Sequence, residues 1–322
     1  MASKNSSAKS FHSMISSQPS RSLRRLTTRL GSGILALGLS LSVSLPTLAA
    51  DPFRPNDSSH NIGELTEGAF KAIFKDGDYV TANELLAQAE TAESNEPLVH
   101  AMLASMAYLK GDEGLAEVLT RAESTEKIAR ELVATDPLRG HLYTAVGIFL
   151  KGAHLLKTEG VAKGTPTALG MLQEVFSELE AAEAIDAEDA ELNLLKGYMD
   201  LMLAVNLPFS NPDEAISRMS EYGSPEYLTQ RGIAIGYRDL DQFDEALVAV
   251  DKALAAANEN PELYYLKAQL LVRQGDTNES IEWFNKALAL KEQLPNKLAR
   301  QILWEECQAS DDDRDCAELV GY

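Results

Sequence analysis

The sequence predicts an all-α fold, a superhelix of stacked helical hairpins (an α-solenoid) with irregular middle repeats. Three observations predict it. Between Tyr227 and Glu292 the chain repeats itself every 34 residues: Lys252-Ala253-Leu254 recurs as Lys286-Ala287-Leu288, Glu245 as Glu279, Val250 as Phe284 and Ala234 as Ala268. The same period appears near the N-terminus, where Lys75-Asp76-Gly77-Asp78 is followed by Leu109-Lys110-Gly111-Asp112, and Ala82 by Ala116. Small residues also recur where two helices would have to cross closely: Ala104 and Ala116, Ala234 and Ala246, Ala268 and Ser280, with Ala253 and Ala287 near the ends of second helices.

In chain order, residues 1–50 hold six basic residues (Lys4, Lys9, Arg21, Arg24, Arg25, Arg29) and no acid, then a Leu/Gly/Ser stretch over 30–45, Pro46, and small residues up to Ala49 and Ala50. This is a targeting composition, expected to be cleaved near Ala49 or Ala50 and excluded from the fold. Its apolar stretch falls short of the roughly 20 residues that span a bilayer, so no stable transmembrane anchor is expected after its removal. Arg24-Arg25 fits twin-arginine export poorly, and a Ser- and Arg-rich leader is also compatible with a transit peptide preceding a lumen signal. The expected address is the periplasm or another exported compartment, with a thylakoid lumen as the alternative. Residues 51–62, polar and carrying Pro52 and Pro55, are expected as a mobile tail.

The solenoid is expected over 63–294, with clear repeats at 63–96, 97–124, 227–260 and 261–294. Pro97 and Pro261 sit at repeat boundaries, where proline can start a helix but not continue one. Apolar spacing predicts helices over 138–157, 166–185 and 190–206, with 158–165 as the best place for a break. Asp213-Glu214-Ala215-Ile216 begins another second helix after the insertion Leu207-Pro208-Phe209-Ser210-Asn211-Pro212. Residues 295–322 comprise a capping helix, with Leu298, Ile302 and Leu303 covering the last repeat, and an acidic tail. Cys307 and Cys316, the only cysteines, are expected to form a disulfide in an oxidising compartment.

The period, the small residues and the turns Gly77-Asp78-Tyr79, Gly111-Asp112, Gly275-Asp276 and Asp241-Gln242-Phe243 resemble the tetratricopeptide-repeat (TPR) family, over a little under half of the chain beyond the leader. The leader, the Asp51-Pro52-Phe53 start and the irregular repeats are similar to exported cyanobacterial TPR proteins of unassigned role. The resemblance implies a concave groove lined by first helices that docks a protein or peptide. At those positions stand Leu98, Ala101, Ser105 and Tyr108, then Leu228, Arg231, Ile235 and Arg238, then Glu262, Tyr265, Gln269 and Val272. Ile235 occupies the place where the family's carboxylate clamp has Asn, which argues against capture of a C-terminal carboxylate. Arg231, Arg238 and Tyr265 are the expected anchors.

Beyond Ala50, 49 acidic and 23 basic side chains leave a formal charge of −26. Such a surface repels nucleic acid and favours cationic partners. His60, His100, His141 and His154 form no pair at metal-binding helical spacing, and the resemblance implies a packed core position for His100. No nucleophile elbow, phosphate loop or dinucleotide fingerprint occurs beyond Ala50, so no catalytic residue, metal or cofactor is expected. Asp311, Asp313 and Asp315 imitate three ligands of a calcium loop, but Cys316 stands where that loop requires Gly and Tyr322 where it requires Glu. The expected function is an exported scaffold for protein or peptide binding. The alternatives are a structural cell-envelope role in contact with peptidoglycan and, third, a hydrolase using unrecognised carboxylates.

Overall fold

The structure is a computed structural model that describes residues 51–54, 60–206, 211–310 and 315–320. Six antiparallel hairpins follow one another: α1 (Glu64–Lys71) with α2 (Tyr79–Ala92), α3 (Pro97–Tyr108) with α4 (Leu115–Leu132), α5 (Pro137–Glu159) with α6 (Val161–Glu183), α7 (Ala190–Asn206) with α8 (Pro212–Tyr222), α9 (Glu226–Asp239) with α10 (Phe243–Ala256), and α11 (Pro261–Gln274) with α12 (Thr277–Ala289). Helices α13 (Asn296–Ala309) and α14 (Cys316–Val320) close the C-terminal end. No strand occurs among the described residues, and the arrangement is the TPR-like all-α repeat that the periodicity predicts.

Local chemistry sets the helix boundaries. Four helices start with proline behind a capping side chain. Glu96 accepts from the Leu98 N–H at 2.9 Å, Asp136 from Arg139 at 3.2 Å, Asn211 from Glu214 at 3.4 Å, and Asn260 from Glu262 and Leu263 at 2.9 and 3.2 Å. The turn after α9 carries no glycine, and there Asp241 itself takes the left-handed conformation (φ 60°), which Asp tolerates better than most residues.

Most of the small residues expected at crossings are fully buried, including Ala82, Ala104, Ala234, Ala246, Ala253, Ala268, Ser280 and Ala287. Ala116 is not: it faces solvent. A 3-10 turn over Gly111–Gly114 delays the start of α4 and rotates its register, so Gly114 takes the close approach instead. A Cβ there would lie 1.9 Å from the Ala107 carbonyl oxygen.

Three further expectations are revised. The break sought over 158–165 narrows to Gly160, whose φ of 79° turns α5 directly into α6, and Pro166 lies inside α6. Residues 51–54, expected in a mobile tail, are docked: Phe53 is 1% exposed and meets the Phe70 ring at 4.8 Å, because Arg54 is held by Asp51, Asp189 and Glu191. The superhelix also turns tightly enough for its first hairpin to reach the fifth and sixth. Asn260 donates through Nδ2 to the carbonyls of Phe74 and Lys75 at 3.2 and 3.1 Å, and Tyr79 donates to Glu262 at 2.7 Å. These contacts narrow the concave face from an open groove to a half-open chamber.

Cys307 and Cys316 are joined in a disulfide with Cα atoms 5.7 Å apart, tying α14 to α13. Leu298 and Ile302 of α13 are buried against the sixth hairpin, and Leu303 is half-buried. His100 is packed in the core with Nδ1 unpaired, and burial lowers its pKa.

Candidate binding chamber

The closing contacts leave a half-open cavity of about 380 Å³ on the concave face, and the first helix of each of the five hairpins after the first contributes to its wall. Ser105 and Tyr108 come from α3, Phe149, Leu150 and Ala153 from α5, Leu201 and Met202 from α7, Ile235 and Arg238 from α9, and Tyr265 and Gln269 from α11. Ile73 and Phe74, in the π-helical turn after α1, and Leu298 of α13 complete it. Antiparallel hairpins produce this lining because every first helix returns to the same, inner layer of the superhelix.

Most of the chamber's polar groups are already engaged with one another. Arg231 Nη2 donates to Glu262 Oε2 at 2.6 Å, while the Tyr79 hydroxyl donates to Oε1 of the same carboxylate at 2.7 Å. Burial works against the Arg231 charge, but Glu262 outweighs it and holds the guanidinium protonated above its ordinary range. Burial and Glu262 together push the Tyr79 phenol well up. Arg238 donates to Asp239 at 2.9 Å and to Gln269 at 3.3 Å, and Gln269 and Tyr265 both donate to Glu305 of α13, at 2.9 and 2.6 Å. Tyr198 donates to the Leu228 carbonyl at 2.7 Å. The Tyr108 hydroxyl is different: half-buried, with its pKa raised by burial, it has no hydrogen-bond partner among the described residues.

Of the groove residues expected from sequence, Tyr108, Arg231, Ile235, Arg238, Tyr265 and Gln269 line the chamber, as do Ser105 and Glu262. Leu228, Leu98 and Ala101 do not; they are buried in the packing between helices. Val272 is 40% exposed and lies outside the chamber, since it falls on the last turn of α11 where the helix leaves the inner layer. The expected anchors also change character. Arg231 and Tyr265 are tied into hydrogen bonds that hold helices together, so their principal contacts are internal. Sequence reasoning missed the apolar contribution of α5 and α7, because those helices fall in the irregular middle where no repeat register assigns an inward face.

Chemically, the chamber can hold an apolar body and offer one free hydroxyl. Among the described residues no group of three or more His, Cys, Asp or Glu is placed to hold a metal ion. Residues 311–314, which include two of the calcium-like aspartates, lie outside the described residues.

Two consecutive hairpins, α9–α10 and α11–α12, share one geometry, with Ala234 and Ala268 at equivalent buried crossings and Asp241 and Gly275 in equivalent left-handed turns. Residues 237–297 match the tetratricopeptide repeat. No curated protein matches the chain. The TPR match begins in the last turns of α9 and ends at the first turn of α13, so it covers the part of the ring that supplies Arg238, Tyr265 and Gln269 to the chamber. TPR repeats suggest a protein-interaction scaffold. Among the described residues no helix is long and apolar enough to cross a membrane.

Proposed function

We propose that this chain is an exported, non-catalytic TPR scaffold that binds a partner protein or peptide by taking apolar side chains of an extended segment into the ring chamber. The observation that carries this reading is the wall itself: successive first helices place apolar residues inward, their charged neighbours are internally paired, and Tyr108 remains free to bond a backbone amide or carbonyl. A volume of about 380 Å³ is of ligand size and admits a few side chains, not a folded domain. The formal charge of −26 beyond the leader favours a segment with basic flanks. The basic, acid-free leader supports export to the periplasm or a thylakoid lumen.

The test places a photoreactive residue at Tyr108, at Ile235 and, as a control on the outer surface, at Val272, in the soluble envelope fraction of the native cell. The expected result is one partner cross-linked from both chamber positions and not from Val272. Cross-links confined to Val272 would move binding off the chamber. Ile235→Trp, which fills the cavity, should abolish capture while leaving Tm within a few degrees.

A further inference from the structure

We propose that the peptide bond between Ala50 and Asp51 is the processing site, and that the ammonium released on Asp51 adds a third cation to a buried ionic cluster, halving its charge deficit and locking the chain's start into the ring. This rests on the reading above that residues 1–50 are a leader removed on export.

Four elements meet at the cluster. The chain start brings Asp51 and Arg54, the N-cap of α3 brings Glu96, α5 brings Arg139 and Tyr143, and the start of α7 brings Asp189 and Glu191. Arg54 Nη1 lies 2.7 Å from Asp51 Oδ2 and 3.1 Å from Glu191 Oε2, and its Nε donates to Asp189 at 2.6 Å. Arg139 donates to both oxygens of Glu96 at 2.7 and 2.9 Å and to Glu191 at 3.0 Å, while the Tyr143 hydroxyl donates to the other Glu191 oxygen at 2.6 Å. Alongside, Asp136 pairs with His60 and accepts from the backbone of Arg139.

Among the described residues, then, the carboxylates of Asp51, Glu96, Asp189 and Glu191 face two guanidiniums, a deficit of two positive charges in a site where each of those acids is less than a tenth exposed. Unbalanced buried charge is costly, and a further cation is what the site lacks. Burial indeed pushes the Asp189 carboxyl up despite Arg54. The Asp51 nitrogen is fixed by covalent geometry next to its own carboxylate, in a residue 1% exposed. As an amide that nitrogen is neutral. Hydrolysis by a leader-removing protease adds one water: the hydroxyl goes to the Ala50 carbonyl, which leaves as a carboxylate, and the Asp51 nitrogen gains hydrogen and the released proton to become an ammonium. Thr47-Leu48-Ala49-Ala50 presents the small residues such a protease accepts.

The experiment compares three purified chains: one starting at Asp51 with a free amine, the same chain acetylated at that amine, and one retaining Ala49-Ala50. At pH 7 the free-amine chain should melt about 3 °C or more above the other two, a shift typical of losing one buried charge contact in a chain this size. The gap should close in strongly alkaline solution, because unperturbed α-amino groups titrate near ~8 and a stabilised ammonium is lost only above that. An acetylated chain that fails to fold while the free-amine chain folds is the same result in stronger form. Equal melting of all three at pH 7 overturns the role of the ammonium. Separately, the intact mass of the exported native chain should correspond to Asp51 as first residue, and any other first residue overturns the processing site. A native chain that is never exported overturns the export reading, and with it the processing, while the melting comparison still decides whether the site takes an ammonium.

Discussion

Glu262 joins three helices through one carboxylate, since it takes Arg231 of α9 most closely on Oε2 and Tyr79 of α2 on Oε1. Glu262→Ala leaves a guanidinium only 18% exposed without its partner, and should cost about 2–4 kcal/mol in urea unfolding. Tyr79→Phe, which removes one hydrogen bond and keeps the ring, should cost about 1–2 kcal/mol. A double-mutant cycle between Tyr79 and Glu262 should return a coupling energy, whereas one between Tyr79 and the remote Arg130 should not. Glu191 gives the pH counterpart. Burial raises its carboxyl, but Arg139, Arg54 and Tyr143 outweigh that and hold it below the ordinary glutamate range. A carboxylate whose folded pKa is depressed contributes stability that is complete above its unfolded value, about 4.3, and disappears as pH falls through the folded value. Acid titration of unfolding should therefore be shallower below pH ~4 in Glu191→Gln than in the parent, on a lower baseline.

At the level of hairpins, much was legible in advance. The 34-residue period located α1–α4 and α9–α12, and the prolines and their caps set several starts, because those signals are local. What escaped was register where the turn chemistry changes. Gly111-Asp112 resembles Gly77-Asp78 and Gly275-Asp276, yet here the chain adds a 3-10 turn, and Gly114 rather than Ala116 meets α3. Gly114→Ala should accordingly destabilise by about 2–3 kcal/mol, where Ala116→Ser, on the exposed side, should fall within about 0.5 kcal/mol. The docking of residues 51–54 escaped for a related reason: the polar composition hides an arginine two of whose partners, Asp189 and Glu191, lie more than 130 residues away. Reduction of Cys307–Cys316, which closes a short loop at the C-terminal end, should lower stability by about 2–3 kcal/mol and act first on α14.

The ring as a unit was not legible in the sequence. Its closing contacts join residues some 185 positions apart, and no periodicity encodes a bond between Asn260 and the backbone of Phe74. The chamber shares that origin: eight of its residues stood at positions the repeat register assigned to a groove, but only the meeting of first and last hairpins gathers them around one cavity. Gly77 marks the seam, with φ at 65° and a Cβ that would approach Pro261 Cδ to 2.7 Å. Asn260→Ala, which removes the two side-chain bonds across the seam and a helix cap, should expose the chamber. The expected readout is increased fluorescence of a neutral apolar dye and a larger hydrodynamic radius, both absent from Asn83→Ala on the outer surface.

That closure also bears on how such a protein can change over time. An open array of repeats gains or loses a unit at little cost, because each unit touches only its neighbours and stability is close to a sum over adjacent pairs. Once Asn260 and Glu262 must meet Phe74 and Tyr79, an added or deleted hairpin displaces one side of the junction by a whole repeat, and every contact across it is lost together. Variation in this lineage should thus be confined to side chains and loop lengths, with the number of hairpins held constant, and unfolding should proceed as a single cooperative event instead of fraying from either end.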